Sequence, residues 1–570
     1  MTGKEDDIMA DLSIQSKEDS TRQKSFETIQ TMIKEDPGNF QAYINLGTWY
    51  ESENIDQAYL TYEHAGYLCK RKAEADGASP DEYRDVLSDL KRKLMRLKQD
   101  ARFHVHPASF IIVSWNTLDL TKKCLESIRE TCDPDACEIV IVDNGSHDGS
   151  KEWLREQKDI VFVDNDYNAG FPGGCNLGFR AASQQNDMLL LNSDTEMTEN
   201  AFYTLRMGLY SDRRNGMAGG FSNANYLNEF SDNAPKLPEE NEYYEYGRRV
   251  NIPGMNQILR KSVLFAFYVL VRRDVFNKVG EWDELFNPGN FDDHDYSYRV
   301  LKAGYRNILC WNSFIIHRAH RTFAQNHVPH NGIMRTNFDK FFRKWGFGPD
   351  EYSNTHLDMI SLITHGREEA FSVLFIDCGC GNALCTMEKR FPYIQCYGLE
   401  KSPIIAQMGA AMANVAECDI ERMDIPWNDQ LFDYIMIADT LESCNDPEQV
   451  LRIADRYLKP GGAVICSVET VLNAKMISDL LKGSFFRKEK NDLPSRKVNF
   501  FTMNDMCQMF MKTGFQIEFV FSIVLREINT NYDRELFDKL CSIQGVVDRK
   551  RFDEHHVVFR LRKRVTSHDI

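Results

Sequence analysis

Three aspartates in the segment from Pro288 to Asp295 have the composition of an acid–base site. Asp292, Asp293 and Asp295 lie within four positions of one another, so repulsion between like charges is expected to raise the pKa of at least one of them. A carboxylate with a raised pKa is suited to removing a proton from a hydroxyl group. Of the two adjacent residues, Asp293 is the favoured general base and Asp292 is the alternative.

An oxygen-rich turn, Leu191-Asn192-Ser193-Asp194-Thr195, carries side chains that a hard divalent cation prefers. Asp194 is the candidate ligand, with Mn²⁺ or Mg²⁺ as the cation. Such an ion would bridge the two phosphates of a diphosphate group. The turn therefore predicts a metal-assisted reaction of a diphosphate-containing substrate.

Two other polar segments and a glycine-rich segment suit a nucleotide. Ser114-Trp-Asn116 follows one predicted strand, and Asp143 follows the next, where its carboxylate can accept a hydrogen bond from a base imide. The segment that begins at Asn168 contains Gly174 among several glycines, which allow the backbone to approach phosphate or ribose closely. Together these segments predict a nucleotide site.

A separate constellation further along the chain suits an adenosyl ligand. Asp377-Cys-Gly379-Cys-Gly381 follows a predicted strand and opens a helix, and Glu400 ends the next strand, where a carboxylate can bind both ribose hydroxyls. Asp419 can accept a hydrogen bond from the adenine amine. An NAD-binding site is the main alternative, but no nicotinamide-side chemistry accompanies these residues.

Short apolar runs alternate with amphipathic stretches, the pattern of parallel α/β sheets, and place these residues at strand ends. The first unit has predicted strands at 109–114, 138–143, 160–164, 188–192, 263–271 and 308–311, with a helix over 121–129. The second has predicted strands at 372–377, 395–400, 434–438 and 463–468. Residues 346–370 contain Gly-Phe-Gly-Pro and suit an inter-domain connection.

The region from 19 to 100 has helical periodicity throughout. Tyr43-x2-Leu46-Gly47-x2-Tyr50, followed by Ala58 and Tyr62, resembles one tetratricopeptide helical pair, in which a small residue lets two helices approach. Flanking helices over 21–35 and 80–98 are expected to cap it, because a single repeat cannot bury its own face. A plain helical bundle is the alternative to a docking surface of repeat type.

Composition excludes several classes of protein. At 570 residues the chain is expected to hold about three or four domains, and its formal charge of −17 disfavours binding to nucleic acid. The longest apolar run, 263–271, is too short for the roughly 20 residues of a transmembrane helix, and the acidic start lacks the features of a signal peptide. The expected location is the cytoplasm, with the 15 cysteines reduced and serving as core residues.

Taken in order, the first set of motifs resembles the inverting family-2 glycosyltransferases with the GT-A fold, over 107–325, and rhamnosyltransferase-like members in particular. The resemblance implies roles for five residues: Asp143 binds the nucleobase, Asn192 the ribose side and Asp194 the metal, Asp293 is the general base, and His317 helps to hold metal or diphosphate. One departure is Phe265-Ala266, where the family often has a small Ser-Gly pair.

The second set resembles class I S-adenosylmethionine-dependent methyltransferases over about 368–525. The resemblance implies that Asp439, which follows the strand at 434–438, also binds S-adenosylmethionine. The predicted binding residues are therefore Asp377, Gly379, Gly381, Glu400, Asp419 and Asp439. Relatives usually read Leu-Glu-His where this chain has Leu441-Glu442-Ser443, and many carry Asp-x-x-His where it has 493–499 without histidine. Two possible proton acceptors are therefore missing, and a catalytically degenerate domain is the alternative to an active one.

We therefore predict an α/β protein with an all-α, tetratricopeptide-like region at 1–104, a GT-A glycosyltransferase domain at 105–346, a linker at 347–370 and a Rossmann-like methyltransferase domain at 371–570. The expected activity is metal-dependent, inverting transfer from a nucleotide-sugar, with dTDP or UDP favoured, followed by O-methylation of the product. The acceptor is a glycan or a protein such as a surface or flagellar subunit, and the helical region is a candidate docking site for that protein.

Overall fold

The computed structural model describes residues 23–77, 82–224, 237, 239–254, 257–318, 330–422, 425–427, 430–472, 474–481, 483, 498–524, 538–539, 541–542 and 550–563. The chain forms two compact units. The first comprises the described residues up to Leu259 together with Leu264–Ile333, and the second comprises Arg260–Val263 together with the described residues from Met334 onwards.

The first unit begins with four helices and continues as alternating strands and helices. The helices are 23–35 (α1), Phe40–Tyr50 (α2), Ile55–Ala75 (α3) and Arg84–Lys98 (α4). The later helices are Leu118–Thr131 (α5), Ser150–Glu156 (α6), Gly170–Ala181 (α7), Ala201–Leu209 (α8), Glu240–Val250 (α9), Arg273–Val279 (α10) and Asp292–Lys302 (α11). The strands are Ala108–Ser114 (β1), Cys137–Asn144 (β2), Val161–Asn165 (β3), Asp187–Asn192 (β4), Thr195–Glu196 (β5), Asn215–Ser222 (β6), Ile258–Arg260 (β7), Tyr268–Val271 (β8) and Arg306–His317 (β9).

These strands form a mixed sheet in the order β3-β2-β1-β4-β8-β6-β9-β5, with β7 paired to β9. Strands β1 to β4 pair in parallel, whereas β8 is antiparallel to both β4 and β6. The predicted strand over 263–271 is wrong in its first half. Leu264 donates its backbone N–H to Ser297 Oγ of α11 (3.1 Å), so the start of this segment is tied to a helix, and regular strand pairing begins only at Tyr268.

The N-terminal helices share one hydrophobic core with this sheet. Gly47 of α2 lies against the ring of Tyr62 of α3, where a Cβ atom would come within 2.6 Å of a ring carbon. Tyr203 of α8 is buried among these helices: its hydroxyl lies 3.1 Å from Thr61 Oγ1, and its ring stacks on His64 at 4.2 Å between centroids. The helices and the sheet therefore bury apolar surface against each other.

The second unit is an α/β sheet with helices on both faces. Its helices are His330–Trp345 (α12), Leu357–Ile360 (α13), Asn382–Arg390 (α14), Pro403–Met412 (α15), Pro447–Tyr457 (α16), Ala474–Leu481 (α17), Met503–Lys512 (α18) and Lys550–Asp553 (α19). Its strands are Phe371–Ile376 (β10), Ile394–Glu400 (β11), Val415–Glu417 (β12), Phe432–Ala438 (β13), Leu458–Glu469 (β14), Phe515–Val524 (β15) and Glu554–Lys563 (β16).

The order of this second sheet is β12-β11-β10-β13-β14-β16-β15. The first five strands pair in parallel, and β16 runs antiparallel to both β14 and β15. Two separate apolar clusters cover the sheet. The helices within 23–98 form an all-α region. The sheet of the first unit is GT-A-like α/β, and that of the second unit is Rossmann-like α/β.

Two features expected from the composition can be compared with the structure: the state of the cysteines and the hydropathy of the helices. All 15 cysteines are free thiols, and 12 of them are buried, so they serve as core residues as predicted. Within the described ranges, no helix combines the length and the apolar character that a membrane span requires.

The shared core of the first unit leads to a stability prediction. Tyr203→Ala removes a buried ring that both the helices and the sheet contact, so we expect the free energy of unfolding of this unit to fall by roughly 3–5 kcal/mol. Chemical denaturation followed by tryptophan fluorescence measures the change. Tyr167→Ala is the matched control, because the Tyr167 side chain is exposed and should change stability by no more than about 0.5 kcal/mol. An equal effect of both substitutions would contradict a shared core.

Candidate active sites

The first candidate site lies at the carboxyl ends of three parallel strands. In the sheet register Ser114 of β1 is opposite Asp143 of β2, and Val113 is opposite Asn192 of β4. The pairing therefore brings together, at one sheet edge, three residues predicted to bind the nucleotide. Parallel strands end at the same edge, which is why distant sequence positions meet here.

Two oxygen atoms at this edge are buried without a hydrogen-bond partner among the described residues. Asp143 is fully buried; its Oδ2 accepts a hydrogen bond from Ser146 N (3.2 Å), while its Oδ1 accepts none. Asn192 Oδ1 is in the same situation. A buried acceptor without a donor costs about 1–3 kcal/mol. Both atoms are therefore suited to accept hydrogen bonds from a ligand.

Other predicted residues shape the loops around these oxygens. Asn116 has a positive φ of 51° and joins the first two strand ends: its N–H donates to Ser146 Oγ (2.9 Å), and its Oδ1 accepts from His147 N (2.7 Å). Ser114 Oγ lies 2.9 Å from Thr121 Oγ1 of α5. Asn168 Oδ1 accepts from Asn144 Nδ2 (3.0 Å). These side chains hold the loops that border the site.

The glycine-rich segment forms helix α7, which packs on the sheet. A Cβ atom at Gly174 would come within 2.7 Å of Val113 Cγ1, and one at Gly178 within 2.4 Å of Ile111 Cγ2. The missing side chains therefore let this helix lie directly on β1. Gly170, at its start, has a φ of +77° and faces Asn287. Packing accounts for the composition of this segment, and a contact of Gly174 with nucleotide stays a prediction.

Asp194 and His317 lie together beside the nucleotide residues. His317 Nε2 is 3.3 Å from Asp194 Oδ1, and both side chains are largely buried. The imidazole ring stacks on Phe267 at 5.1 Å between centroids, and Phe267 O accepts the backbone N–H of Asn192 (3.0 Å). Among the described residues, no three His, Cys, Asp or Glu side chains form a metal-binding group. Asp194 and His317 could supply two ligands to a divalent cation such as Mn²⁺ or Mg²⁺.

Three residues beside this pair are absent from the sequence prediction. Glu196 of β5 is buried and accepts hydrogen bonds from Arg318 Nε and from the hydroxyl of Tyr244, which belongs to α9. No motif in the sequence connects Tyr244 with Glu196, because they are 48 positions apart. The three residues border the Asp194–His317 pair, since Glu196 and Arg318 each adjoin it in the chain.

Asp292 and Asp293 begin helix α11, where the helix dipole favours negative charge. Burial, followed by the charge of Asp293, raises the pKa of Asp292 well above its ordinary value. Burial also raises the pKa of Asp293, while His294 and the backbone N–H of Ala266 act in the opposite direction. Burial is therefore a larger cause than the repulsion that the sequence predicts. Asp292 is 2% exposed, whereas Asp293 is only partly buried.

The second candidate site is a cavity of about 650 Å³ in the second unit. Five of the six residues predicted to bind S-adenosylmethionine line this cavity. The sixth, Gly381, is the N-cap of helix α14 and has a φ of +83°. The lining residues from the prediction are Asp377, Gly379, Glu400, Asp419 and Asp439.

Glu400 and Gly379 both line this cavity and contact each other. The Gly379 N–H donates to Glu400 Oε2 (3.1 Å), and the Ser402 N–H donates to Oε1 (2.8 Å). Burial raises the pKa of Glu400 to about 7, and the charge of Asp377 contributes to the rise. Gly379 has a φ of +58°, and a Cβ atom there would come within 2.9 Å of the Tyr352 carbonyl oxygen. The glycine is required both by its backbone conformation and by this close approach.

The remaining predicted residues, Asp377, Asp419 and Asp439, also line the cavity. Asp419 follows β12, and its Oδ2 is 3.3 Å from Lys401 Nζ. Asp439 follows β13 with a φ of 53°, and its Oδ1 accepts from Ser467 Oγ (3.0 Å). Burial raises the pKa of Asp377. Of the segment 493–499, which lacks the expected histidine, only 498–499 lies inside the described residues.

One wall of the cavity comes from residues that precede the sheet. Tyr352 O accepts the N–H of Cys380 (3.1 Å), and Glu351, Asn354 and His356 also line the cavity. The sequence predicts a linker over this stretch and contains no motif there that signals a ligand. The ring of Tyr352 packs against that of Phe347, at 5.1 Å between ring centroids.

Comparisons with known proteins match one family to a segment of each unit. Residues 109–280 match the family described as Glycosyl transferase family 2, and residues 376–466 match the family described as Methyltransferase domain. Demethylmenaquinone methyltransferase of Staphylococcus aureus is 28% identical over 170 residues, which are 26% of this chain and 70% of that protein. The chain therefore contains a glycosyltransferase family 2 domain and a methyltransferase domain, and it is a transferase.

Solved structures also show partial similarity. A mannosyltransferase from Pyrobaculum calidifontis, in complex with GDP-Man and Mn²⁺, is 16% identical with a TM-score of 0.32, covering 43% of this chain and 68% of that one. The YcgJ protein from Bacillus subtilis is 15% identical with a TM-score of 0.26, covering 37% of this chain and 100% of that one.

The glycine loop of the second site gives a prediction with an internal control. Gly379→Ala and Gly461→Ala both place a side chain at positive φ, which costs about 1–2 kcal/mol. Only Gly379→Ala also meets a backbone atom, since nothing lies within 4 Å of a Cβ atom at Gly461. We expect calorimetry to show about tenfold weaker binding of S-adenosylhomocysteine to Gly379→Ala and unchanged binding to Gly461→Ala. Equal affinities would contradict the close approach of Tyr352.

Proposed function

We propose that the first unit transfers a sugar from a nucleotide-diphosphate donor to an acceptor hydroxyl with inversion, and that the second unit O-methylates the product with S-adenosylmethionine. The observation that carries the transferase assignment is the sheet edge at which Asp143, Asn192 and the Asp194–His317 pair meet. Unpartnered buried acceptors beside a carboxylate–imidazole pair match a nucleoside diphosphate, which has donors on its base and ribose and negative charge on its phosphates.

The nucleoside would be held by the two unpartnered oxygens. A uracil or thymine ring has an imide N–H that can donate to Asp143 Oδ1, and a ribose hydroxyl can donate to Asn192 Oδ1. These bonds would restore partners to both buried acceptors, which is the physical reason to expect tight binding. UDP or dTDP is therefore the favoured donor nucleotide.

Asp194 and His317 would hold the divalent cation against the diphosphate. When bound, Mn²⁺ or Mg²⁺ neutralises charge on the departing nucleoside diphosphate. Stacking on Phe267 fixes the plane of the imidazole ring, so His317 presents Nε2 toward Asp194. The two ligands are thus preorganised by the end of β9 and the turn after β4.

Asp293 would act as the general base. The acceptor oxygen attacks the anomeric carbon and the bond from that carbon to the diphosphate oxygen breaks with its electron pair. The hydroxyl proton goes to the carboxylate of Asp293. Asp293 is favoured as the base because it is partly exposed. Asp292 is buried, and its raised pKa favours the protonated form, so Asp292 does not add a second negative charge beside Asp293. Segment 264–267 is tethered to α11 and contacts both this residue and the Asn192 strand end.

In the second unit Glu400 would bind the ribose hydroxyls and Asp419 the adenine amine, with the Gly379 loop against the ligand. The cavity and its carboxylates support this assignment. The acceptor is a glycan or a protein. Because the inner faces of the N-terminal helices are buried against the sheet, a protein acceptor would dock on their outer faces.

A ligand-stabilisation experiment tests the glycosyltransferase assignment. We expect Mn²⁺ with UDP or dTDP to raise the melting temperature of the full chain by roughly 5 °C at saturating concentration. Asp194→Asn should abolish the part of the shift that depends on Mn²⁺. Asp293→Asn removes a carboxylate from the same site without removing a metal ligand, so it should keep the shift while losing sugar transfer by at least about 100-fold. Loss of the shift in both variants, or in neither, would contradict these roles.

The raised pKa of Glu400 predicts a pH dependence of cofactor binding. Ribose hydroxyls donate to the ionised carboxylate, so binding favours deprotonation of a group whose pKa in the free protein is about 7. The affinity for S-adenosylhomocysteine should therefore rise with pH up to about 7 and level off above it, by at most about tenfold per pH unit. Calorimetry in buffers of different ionisation enthalpy measures the released proton.

Glu400→Gln should bind more weakly and lose this pH dependence, because no proton is released. Glu417→Gln is the matched control, since Glu417 is exposed at the end of the neighbouring strand β12 and should retain it. A pH-independent affinity of the unmodified protein would contradict the role of Glu400.

A further inference from the structure

Two histidines near the end of the chain lie between two carboxylates at the cavity of the second unit. His556 Nε2 is 3.4 Å from Asp439 Oδ1, His555 Nδ1 is 2.5 Å from His556 Nδ1, and His555 Nε2 is 3.5 Å from Glu469 Oε1. The four side chains form a series of carboxylate, imidazole, imidazole and carboxylate, in which the two imidazoles share a hydrogen bond and each carboxylate lies at ion-pair distance from one of them. No sequence motif joins them, because they belong to three different strands or strand ends.

The direction of strand β16 explains why these groups meet. Strands β13 and β14 are parallel, so Asp439 and Glu469 both lie at the carboxyl edge of the sheet. Strand β16 runs antiparallel to β14, so its first residues return to the same edge, and His556 is opposite Glu469 in the register. The last strand thus supplies imidazole groups to the edge at which the predicted cofactor site lies.

Exposure decreases along the series, away from the cavity. The Asp439 side chain is 40% exposed and lines the cavity, the two histidines are about one-quarter exposed, and Glu469 is 8% exposed. The open end of the series therefore faces the space available to ligands, and the other end is enclosed by protein. Ser467 Oγ donates to Asp439 Oδ1 (3.0 Å) and fixes the orientation of that carboxylate.

We propose that Asp439 faces the reacting methyl group and the acceptor hydroxyl, and that His556, backed by His555 and Glu469, is the proton acceptor that the sequence lacks at Ser443. This inference rests on the proposed methyltransferase function and assigns its acid–base chemistry. Two carboxylates flank the imidazole pair, so they stabilise the positive charge that a histidine gains on taking up a proton.

The proposed step is balanced in atoms and charge. The acceptor oxygen attacks the methyl carbon of S-adenosylmethionine, the bond between carbon and sulfur breaks, and its electron pair stays on sulfur as the neutral thioether. The hydroxyl proton passes to the Asp439 carboxylate and then to Nε2 of His556. The products are the methyl ether, S-adenosylhomocysteine and a His556 imidazolium, so the positive charge of the sulfonium ends on the protein.

The test uses two cofactor analogues and needs no acceptor. S-Adenosylhomocysteine lacks the methyl group, whereas sinefungin carries an ammonium group at the position of the sulfonium methyl. If Asp439 faces that position, its carboxylate attracts the ammonium, and Asp439→Asn of the full-length protein should weaken sinefungin by about tenfold or more. The affinity for S-adenosylhomocysteine should fall by a smaller factor, because this ligand carries no ammonium group for Asp439 to attract. Asparagine tolerates the positive φ of this position, so the variant is expected to fold.

The outcomes separate the two proposals. If the unmodified protein does not bind S-adenosylhomocysteine, both the methyltransferase function and the relay, meaning the proton transfer from Asp439 to His556, are overturned. Binding of S-adenosylhomocysteine with an unchanged sinefungin preference in Asp439→Asn would overturn the relay alone. An equal loss of both ligands would assign Asp439 to cofactor binding and would also overturn it.

A pH series of the same affinities tests the histidines. Among the described residues, the ionisable groups in contact with His556 are Asp439 after β13 and His555 on its own strand, and Glu469 at the end of β14 contacts His555. If His556 takes up a proton beside Asp439, the imidazolium offsets the charge of the carboxylate, so lowering the pH should reduce the preference for sinefungin over S-adenosylhomocysteine. In His556→Gln this loss of preference at low pH should be smaller.

His365→Gln is the matched control for the pH series, because His365 contacts Phe371 and Tyr434 and is not among the residues that line the cavity. It should show the pH profile of the unmodified protein. An unchanged profile in His556→Gln would overturn the role of His556, since a merely structural contact with Asp439 would not set the midpoint.

Discussion

Parallel strand pairing is the constraint on which both candidate sites depend. When β1 pairs in parallel with β2 and β4, the residues that follow these strands must meet at one edge, although they are separated by tens of positions in the chain. The same holds for β10, β11 and β13 in the second unit. At that edge the backbone leaves the sheet, so polar side chains there are free to serve ligands without disturbing the ladder of backbone hydrogen bonds.

Burial gives these edges their electrostatic character. Within the part of the chain that the structure describes, Asp143 and Asn192 each have a buried acceptor oxygen without a hydrogen-bond partner, which lowers the stability of the folded protein. The pKa of Asp292 and that of Glu400 are raised chiefly because their carboxyl groups are removed from water. Both units thus contain a carboxyl group that resists ionisation because it is buried.

The helices at the start of the chain have a structural role that their sequence pattern does not reveal. Tyr203 and Tyr43 belong to different elements of one core, with ring centroids 5.6 Å apart. A tetratricopeptide-like pattern predicts close helix packing, which Gly47 and Tyr62 provide. The same pattern gives no information about the sheet that covers the remaining apolar face, because periodicity identifies a buried face and not the surface that buries it.

The sequence by itself determined the alternation of strands and helices, the polar residues at strand ends and the two enzyme families, because local periodicity and motif spacing are properties of the chain. Tertiary structure alone decided which residues contact one another. It placed Gly174 against Val113, extended the second cavity to Tyr352, and brought His555 and His556 to Asp439. Such contacts depend on strand order and direction, and an antiparallel last strand reaches the carboxyl edge only after the whole sheet has assembled.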